Sequence, residues 1–505
     1  MSVTAAFDAA AIARQILAQP PAPLPAQSPP PTAPPAEPLS YRVTSVGVLP
    51  DSLTDRGMAK TFAHLYASDY QHANGLGWLK WNGYCWVPDD HDTVVWAAGD
   101  MAESLATTDP EGTHTDADLR RARHRAMSTT GIKSMLMQAK SARDMLLDAA
   151  ALDADPHVLC TPGGIVDLRT GRTSTPDPRR DFHSRSTATS PQEMPTPRWD
   201  RFLEDTFGSD AEGREMISYL HLLLGYSITG DVGAQILAFL CGSGKNGKSV
   251  LLDVLVKLLG EYADAAPPGF LMARPFEGHP TDLAELHGRR VIVSSELKAG
   301  DRFDEARVKL LTGGDKLKAR RMRQDFFSFN PTHKLFVLGN HRPEVNTGGF
   351  AFWRRIRLVP FERVVPDAHK VDNLADILVT EEGPGILTWL INGARRYLGG
   401  EKDLTGPERV RVATTAYAET EDHMGRFLSE SCKTDAGLRA EQKHLYLAYT
   451  RWCESEGATP VSSRAFAARV REVLGMRSPK DMATSNSKKY YPGIGLIADT
   501  DEETA

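Results

Sequence analysis

Residues 236–260 read ILAFLCGSGKNGKSVLLDVLVKLLG. The apolar run at 236–240 has the length and composition of a buried strand, and the run beginning at 250 those of a helix. Between them Gly242, Ser243, Gly244, Lys245, Asn246, Gly247, Lys248 and Ser249 spell G-x-x-x-x-G-K-[ST]. Glycines in that pattern let successive backbone N–H groups turn inward and cradle phosphates at a helix N-terminus. Lys248 then reaches the β- and γ-phosphates, and the Ser249 hydroxyl is placed for Mg²⁺. Strand, loop and helix together predict a nucleoside-triphosphate site, with ATP and Mg²⁺ as its occupants.

Three more apolar runs follow: RRVIVSSE at 289–296, THKLFVLGN at 332–340 and IRLVPF at 356–361. Continuous apolar strands separated by helical patterns predict a parallel sheet covered on both faces. The first run ends in Glu296, a carboxylate able to help hold Mg²⁺ and polarise an attacking water. The second ends in Asn340, whose amide can orient water or meet the γ-phosphate, or can simply close a turn. Arg354 and Arg355 stand immediately before the third, either as cations offered to a transition state or as side chains of an exposed strand edge.

The chain has 505 residues, enough for roughly three domains. Lys and Arg total 59 against 65 for Asp and Glu, a net charge of −6. That balance excludes a general basic coat for nucleic acid and leaves a local basic element open. No apolar run reaches the ~20 residues that span a bilayer, so no membrane partner is expected. The first residues lack the basic start of a signal peptide. The five cysteines are scattered without a C-x-x-C pair, which argues against disulfides and zinc. A reducing cytoplasm is the expected compartment.

Composition divides the chain further. Residues 1–45 form an Ala/Pro-rich tail, with ten of the 33 prolines at 20–38, predicting a disordered spacer or a ligand for an aromatic groove. Residues 46–195 predict an α/β domain. Within it GWLKWNGYCWVPDD, at 77–90, reads as a hairpin turning at Asn82-Gly83. Trp78, Trp81, Trp86 and Trp96 there fit base stacking or, preferably, core packing. HVLCTPGGIVDLRTGR, at 157–172, turns at Pro162-Gly163-Gly164. Residues 196–230 predict a helical linker or oligomerisation segment, and 231–403 the ATPase. Residues 404–498 contain two amphipathic helices, HLYLAYTRWCESEG and SRAFAARVREVLG. A hairpin in KKYYPGIGLIA completes a winged-helix outline, and 499–505 are an acidic tail.

Taken together, GSGKNGKS, VIVSSE, KLLTGGDKLKARRMRQDFFSFNPTHKL, FVLGNHRP and FWRRIRLVPF resemble the ordered motifs of superfamily 3 helicases. The likeness is greatest to the phage/plasmid and poxvirus-type primase-helicases, whose domain before the ATPase is resembled by LCTPGGIVDLRTGR and PRWDRFLEDTFGSD. It implies a multidomain α/β protein. A P-loop, AAA+-like core would be flanked by an α/β N-terminal domain and a C-terminal winged helix that binds DNA or protein. It also implies a homo-hexameric ring translocating on single-stranded or forked DNA. Lys248 and Ser249 become the Walker A pair, Glu296 the Walker B acid, Asn340 the polar sensor, and Arg354 or Arg355 the arginine finger. The family often has two acids where this chain has Ser295 before Glu296.

LKARRMRQDFFSF, at 317–329, is readable as a hairpin turning near Arg323-Gln324-Asp325. In the superfamily its counterpart projects into the central channel. Lys316, Lys318, Arg320, Arg321 and Arg323 would then pair with DNA phosphates; a solvated basic strand is the plainer reading. Many relatives carry a large N-terminal primase domain, whereas about 45 residues precede the helicase-associated region here. The expectation is a helicase that relies on a separate primase or other replication proteins. An origin-binding initiator, and a primase-helicase with an unrecognised primase site, stand as alternatives.

Overall fold

The computed structural model describes residues 41–274, 280–295, 298, 300–320, 326–345, 349–365, 370–476, 478–485 and 488–497. The tail at 1–40, the acidic end, Glu296, Arg321 and Arg323 lie outside the described residues.

Residues 41–150 build a small α/β unit. Its sheet runs Trp86–Pro88, Gly77–Trp81, Tyr70–Ala73, Leu146–Leu147. The Asn82 carboxamide oxygen accepts from the N–H groups of Tyr84 and Cys85 and so forms the expected turn. Helices Asp55–Tyr66, Thr93–Ser104 and Thr129–Ala139 bury Phe62, Met101 and Ala139 beside Tyr70. The four clustered tryptophans divide. Trp86 is fully buried and tilted against Trp81, whereas Trp96 is 77% exposed.

A second hairpin pairs Val158–Thr161 with Gly164–Asp167. Its Leu159, Cys160 and Val166 enter the main core of the following region. That region's elements, numbered in chain order, begin with helices α1 (Pro197–Phe207) and α2 (Ala211–Ile228). Strand β1 (Leu237–Cys241) leads into α3 (Lys248–Leu259). Then come β2 (Ala263–Ala265), β3 (Val291–Ser294), α4 (Glu305–Thr312), β4 (Lys334–Gly339) and β5 (Ile356–Pro360). Helices α5 (Leu374–Leu398) and α6 (Glu408–Glu421) close the series. The sheet order is β2-β3-β4-β1-β5, with every neighbouring pair parallel. All carboxyl ends therefore lie at one end of the sheet. The short edge strand β2 has too little apolar patterning to be read from sequence.

Alternate residues of β1 feed two cores, as the period of two demands. Ala238 and Leu240 pack with α2, α3 and α5, while Leu237 and Phe239 pack with α4 and Tyr417 of α6. The segment at 196–230, expected as a helical linker or oligomerisation segment, is helical and packs into the core. Leu220, Leu223, Leu224, Tyr226 and Ile228 are buried in the core. Helices α2 and α5 touch backbone to backbone: a Cβ on Gly225 would meet the Gly393 carbonyl carbon at 2.1 Å, and one on Gly393 the His221 oxygen at 2.2 Å. Buried Glu382 of α5 accepts from the first free N–H groups of α1, those of Arg198 and Trp199, both at 2.9 Å.

The C-terminal region has its own core around Phe427, Leu445, Tyr449, Phe466 and Tyr491. Helices His423–Ser431, Gln442–Glu456 and Ser463–Val473 surround it. Strand Lys488–Pro492 lies between Arg439–Glu441 and Ala483–Ser485. The expected hairpin is thus shifted. KKYYP pairs with the segment before it, and Gly495–Leu496 leaves to pair with Cys432–Lys433.

Candidate nucleotide site

The loop from Gly242 to Gly247 leaves β1 at the carboxyl end of the sheet and caps the N-terminus of α3. Gly244 and Gly247 have φ of 103° and 84°, the left-handed region that glycine enters without strain, and Lys245 is held there at 49°. A Cβ on Gly242 would meet the Phe361 oxygen at 2.2 Å and Asn246 Nδ2 at 2.3 Å. Glycine is required there by close approach of the chain.

Lys248 is 4% exposed. Its ammonium donates to the Gly242 carbonyl and to Asn246 Oδ1, each at 2.8 Å. Burial lowers its pKa below lysine's usual value, against a smaller upward pull from Cys241. Ser243, Lys245 and Ser249 are exposed. Ser249, on the first turn of α3, offers the hard oxygen that Mg²⁺ favours. Among the described residues no group of three His, Cys, Asp or Glu side chains could hold a metal. A site with few protein donors, completed by phosphates and water, fits Mg²⁺.

The parallel sheet brings the predicted partners to the same end. Gly339 pairs with Cys241, so exposed Asn340 follows β4 directly beside the start of the loop. Strand β3 also ends there, one strand further out, at buried Ser294. Its next residues lead to Glu296, which is outside the described residues.

Arg354 and Arg355 stand at the opposite end, before β5. The Arg355 carbonyl accepts from Leu237 N–H at 2.7 Å, at the start of β1. Four strand rises of ~3.3 Å separate that end from the loop, roughly 13 Å. The two arginines differ. Arg355 is 8% exposed, donates to Thr312 Oγ1 at 2.9 Å and to the Ala351 carbonyl, and is pushed down to about 10 by burial and then by Arg354. Arg354 is half-buried and donates to the Gln235 side chain.

Strands Leu317–Arg320 and Phe326–Phe329 pair antiparallel, Arg320 opposite Phe326. Leu317 and Ala319 point into the core, leaving Lys318 and Arg320 exposed on the other face, over the half-exposed ring of Phe326 at 5.0 and 5.5 Å. Lys316 is exposed just before the pair.

Comparison with known proteins bears on this arrangement. The model described as "D5 N terminal like" matches residues 59–208, and "Poxvirus D5 protein-like" matches 419–492. A "Family of unknown function (DUF5906)" matches 240–355. The chain is thus similar to D5-type proteins in the stretches on either side of the predicted nucleotide-binding region. Similar proteins include "Putative helicase L207/L206" of Acanthamoeba polyphaga mimivirus, 25% identical over 264 residues, or 48% of this chain and 27% of that protein. "Putative helicase 022R" of Frog virus 3 (isolate Goorha) is 27% identical over 235 residues, 43% of this chain and 24% of that protein. The matched stretches are thus about a quarter of these relatives' length. The apo C-terminal region of NrS-1 is 10% identical with a TM-score of 0.37, covering 62% of this chain and 80% of that one. Every sequence-predicted position from Gly242 to Arg355 falls inside the 240–355 match.

Sequence reading placed Asn246 in the phosphate-binding loop and assigned its side chain no separate role. It is 2% exposed. Its partner, Phe361, is 115 residues away, and no local signal announces such a contact.

Proposed function

We propose that the chain is an ATP-dependent replicative DNA helicase of a phage or mobile element, working in its host's cytoplasm as a homo-hexameric ring on single-stranded or forked DNA. The observation that carries this reading is the buried Lys248 on a P-loop at the carboxyl end of a parallel sheet ordered β5-β1-β4-β3-β2, an order that supports an AAA+-like core. The matches to D5-type models and the helicase names of similar proteins support coupling to DNA unwinding.

In this reading the loop N–H groups and Lys248 bind the phosphates. Asn340 orients the attacking water, and Glu296 polarises it for in-line attack on the γ-phosphate. Ser249 and Glu296 hold Mg²⁺, which when bound neutralises phosphate charge. Arg354, remote from its own loop, reaches the nucleotide of a neighbouring subunit. Lys316, Lys318, Arg320, Arg321 and Arg323 line the channel and follow DNA phosphates without reading sequence.

The test is strand displacement on forked DNA with ATP and Mg²⁺, using Lys248→Ala as the control. Wild type unwinds, and the variant loses hydrolysis and unwinding while staying folded. A variant with full activity would sink the assignment. An origin-binding initiator is the second reading, favoured by the winged-helix-like order of helices and sheet after 423. It predicts melting of one specific duplex and no processive unwinding of generic forks.

A further inference from the structure

The buried amide of Asn246 joins two parts of the site. Its Nδ2 donates to the Phe361 carbonyl at 2.8 Å, and its Oδ1 accepts from Lys248 Nζ at 2.8 Å. Both ends of the carboxamide are therefore committed, and the side chain is buried. Phe361 directly follows β5, and its own N–H donates to the Cys241 carbonyl at 2.8 Å. The connection tightens further along: Val365 N–H donates to the Lys245 carbonyl at 2.9 Å, and Arg363 bonds Asp210 at 3.2 Å. The other end of β5 begins at Arg354 and Arg355.

A short rigid strand thus has a catalytic cation at each end, Lys248 through Asn246 and Arg354 by direct continuity. Phosphates compete with Asn246 Oδ1 and the Gly242 carbonyl for the Lys248 ammonium, because a phosphate oxygen is the stronger acceptor for a cation. Whatever Lys248 does on binding nucleotide is felt by the amide that ties β5 to the loop.

We propose that Asn246 is a positioning residue. It holds Lys248 in place between nucleotides and couples the occupancy of its own subunit's site, through Phe361 and β5, to the arginine offered to the neighbour. This rests on the ATPase reading above.

The experiment uses the full chain with single-stranded DNA. It measures fluorescent-ADP affinity, kcat and KM for ATP, and thermal unfolding, for Asn246→Ala, Asn246→Asp, Arg354→Ala and the Asn246→Ala/Arg354→Ala double variant. Asn246→Ala is expected to lower kcat about tenfold while changing ADP affinity less than about threefold. Asn246→Asp keeps an acceptor for Lys248, now charged, and loses the donor to Phe361. It should weaken ADP binding about tenfold as the carboxylate competes for the ammonium. If the two residues act on one pathway, the double variant is scarcely slower than the slower single one.

Wild-type kcat and KM in a folded Asn246→Ala, or multiplying effects in the double variant, would overturn the proposal. Should Asn246→Ala prove unfolded, Asn246→Asp decides it alone: unchanged ADP affinity in that variant overturns it too. If Lys248→Ala still hydrolyses ATP at the wild-type rate, what has failed is the ATPase reading.

Discussion

The Arg290 guanidinium donates to the Pro156 carbonyl at 3.0 Å, and also to the carbonyls of Val158 at 3.2 Å and Asp155 at 3.4 Å. Arg290 is 1% exposed and immediately precedes β3. One buried cation, donating through its two terminal nitrogens to three backbone oxygens, therefore fastens the hairpin that follows the N-terminal unit to the sheet carrying the candidate nucleotide site.

Arg290→Ala removes the guanidinium from all three carbonyls, of which that of Pro156 keeps the Gly230 N–H, and should cost roughly 3 kcal/mol of stability. Arg290→Lys should recover only part of it, since a single ammonium does not span the three carbonyls as a planar fork does. Urea unfolding followed by tryptophan fluorescence measures both; equal stability of Arg290→Ala and wild type would show the clamp to be idle.

The two arginines before β5 should separate by phenotype. Arg355→Ala loses buried hydrogen bonds to Thr312 and Ala351, so about 2 kcal/mol of stability should go. Arg354→Ala should leave the melting temperature nearly unchanged and lower DNA-stimulated hydrolysis at least tenfold, within the range an arginine finger supplies. Calorimetry and a phosphate-release assay on both variants check the pair. The reversed pattern would move the finger to Arg355.

Lys318 and Arg320 share the exposed face of their hairpin. Replacing both by Ala should weaken binding to single-stranded DNA of any sequence to a similar degree. The slope of log affinity against log salt should fall by about 1.4. Anisotropy titrations at several salt concentrations read this out, and an unchanged slope would make the hairpin a solvated strand only.

His333 is fully buried at the start of β4. Burial and the neighbouring Lys334 push it down to about 4, against a weaker pull from the Leu311 backbone. Between that value and the ordinary 6.5 the unfolded chain binds the extra proton, so stability falls as pH falls through this window and levels off below it. The contribution is at most about 1.4 kcal/mol per pH unit. His333→Phe should flatten the pH dependence of the urea midpoint between those limits relative to wild type. Other buried histidines, such as His183, shift in the same direction and remain in both proteins.

What could be read from the chain alone is what local order encodes. The loop from Gly242 to Ser249 follows a fixed spacing. The apolar runs at β1, β3, β4 and β5 are long enough to be strands. Alternation in Leu317-Lys318-Ala319-Arg320 already separates a buried from an exposed face. Even the −6 net charge was compatible with a locally basic hairpin, because a sum says nothing about placement. The tertiary structure alone decided the rest. It buried the helices at 196–230 through the Gly225–Gly393 contact, set Arg354 at the far end of the sheet from Lys248, and turned Asn246 inward onto Phe361. Each of these depends on residues more than a hundred positions apart. Contacts at that separation come from the packing of whole elements, and no period of two or 3.6 residues carries them.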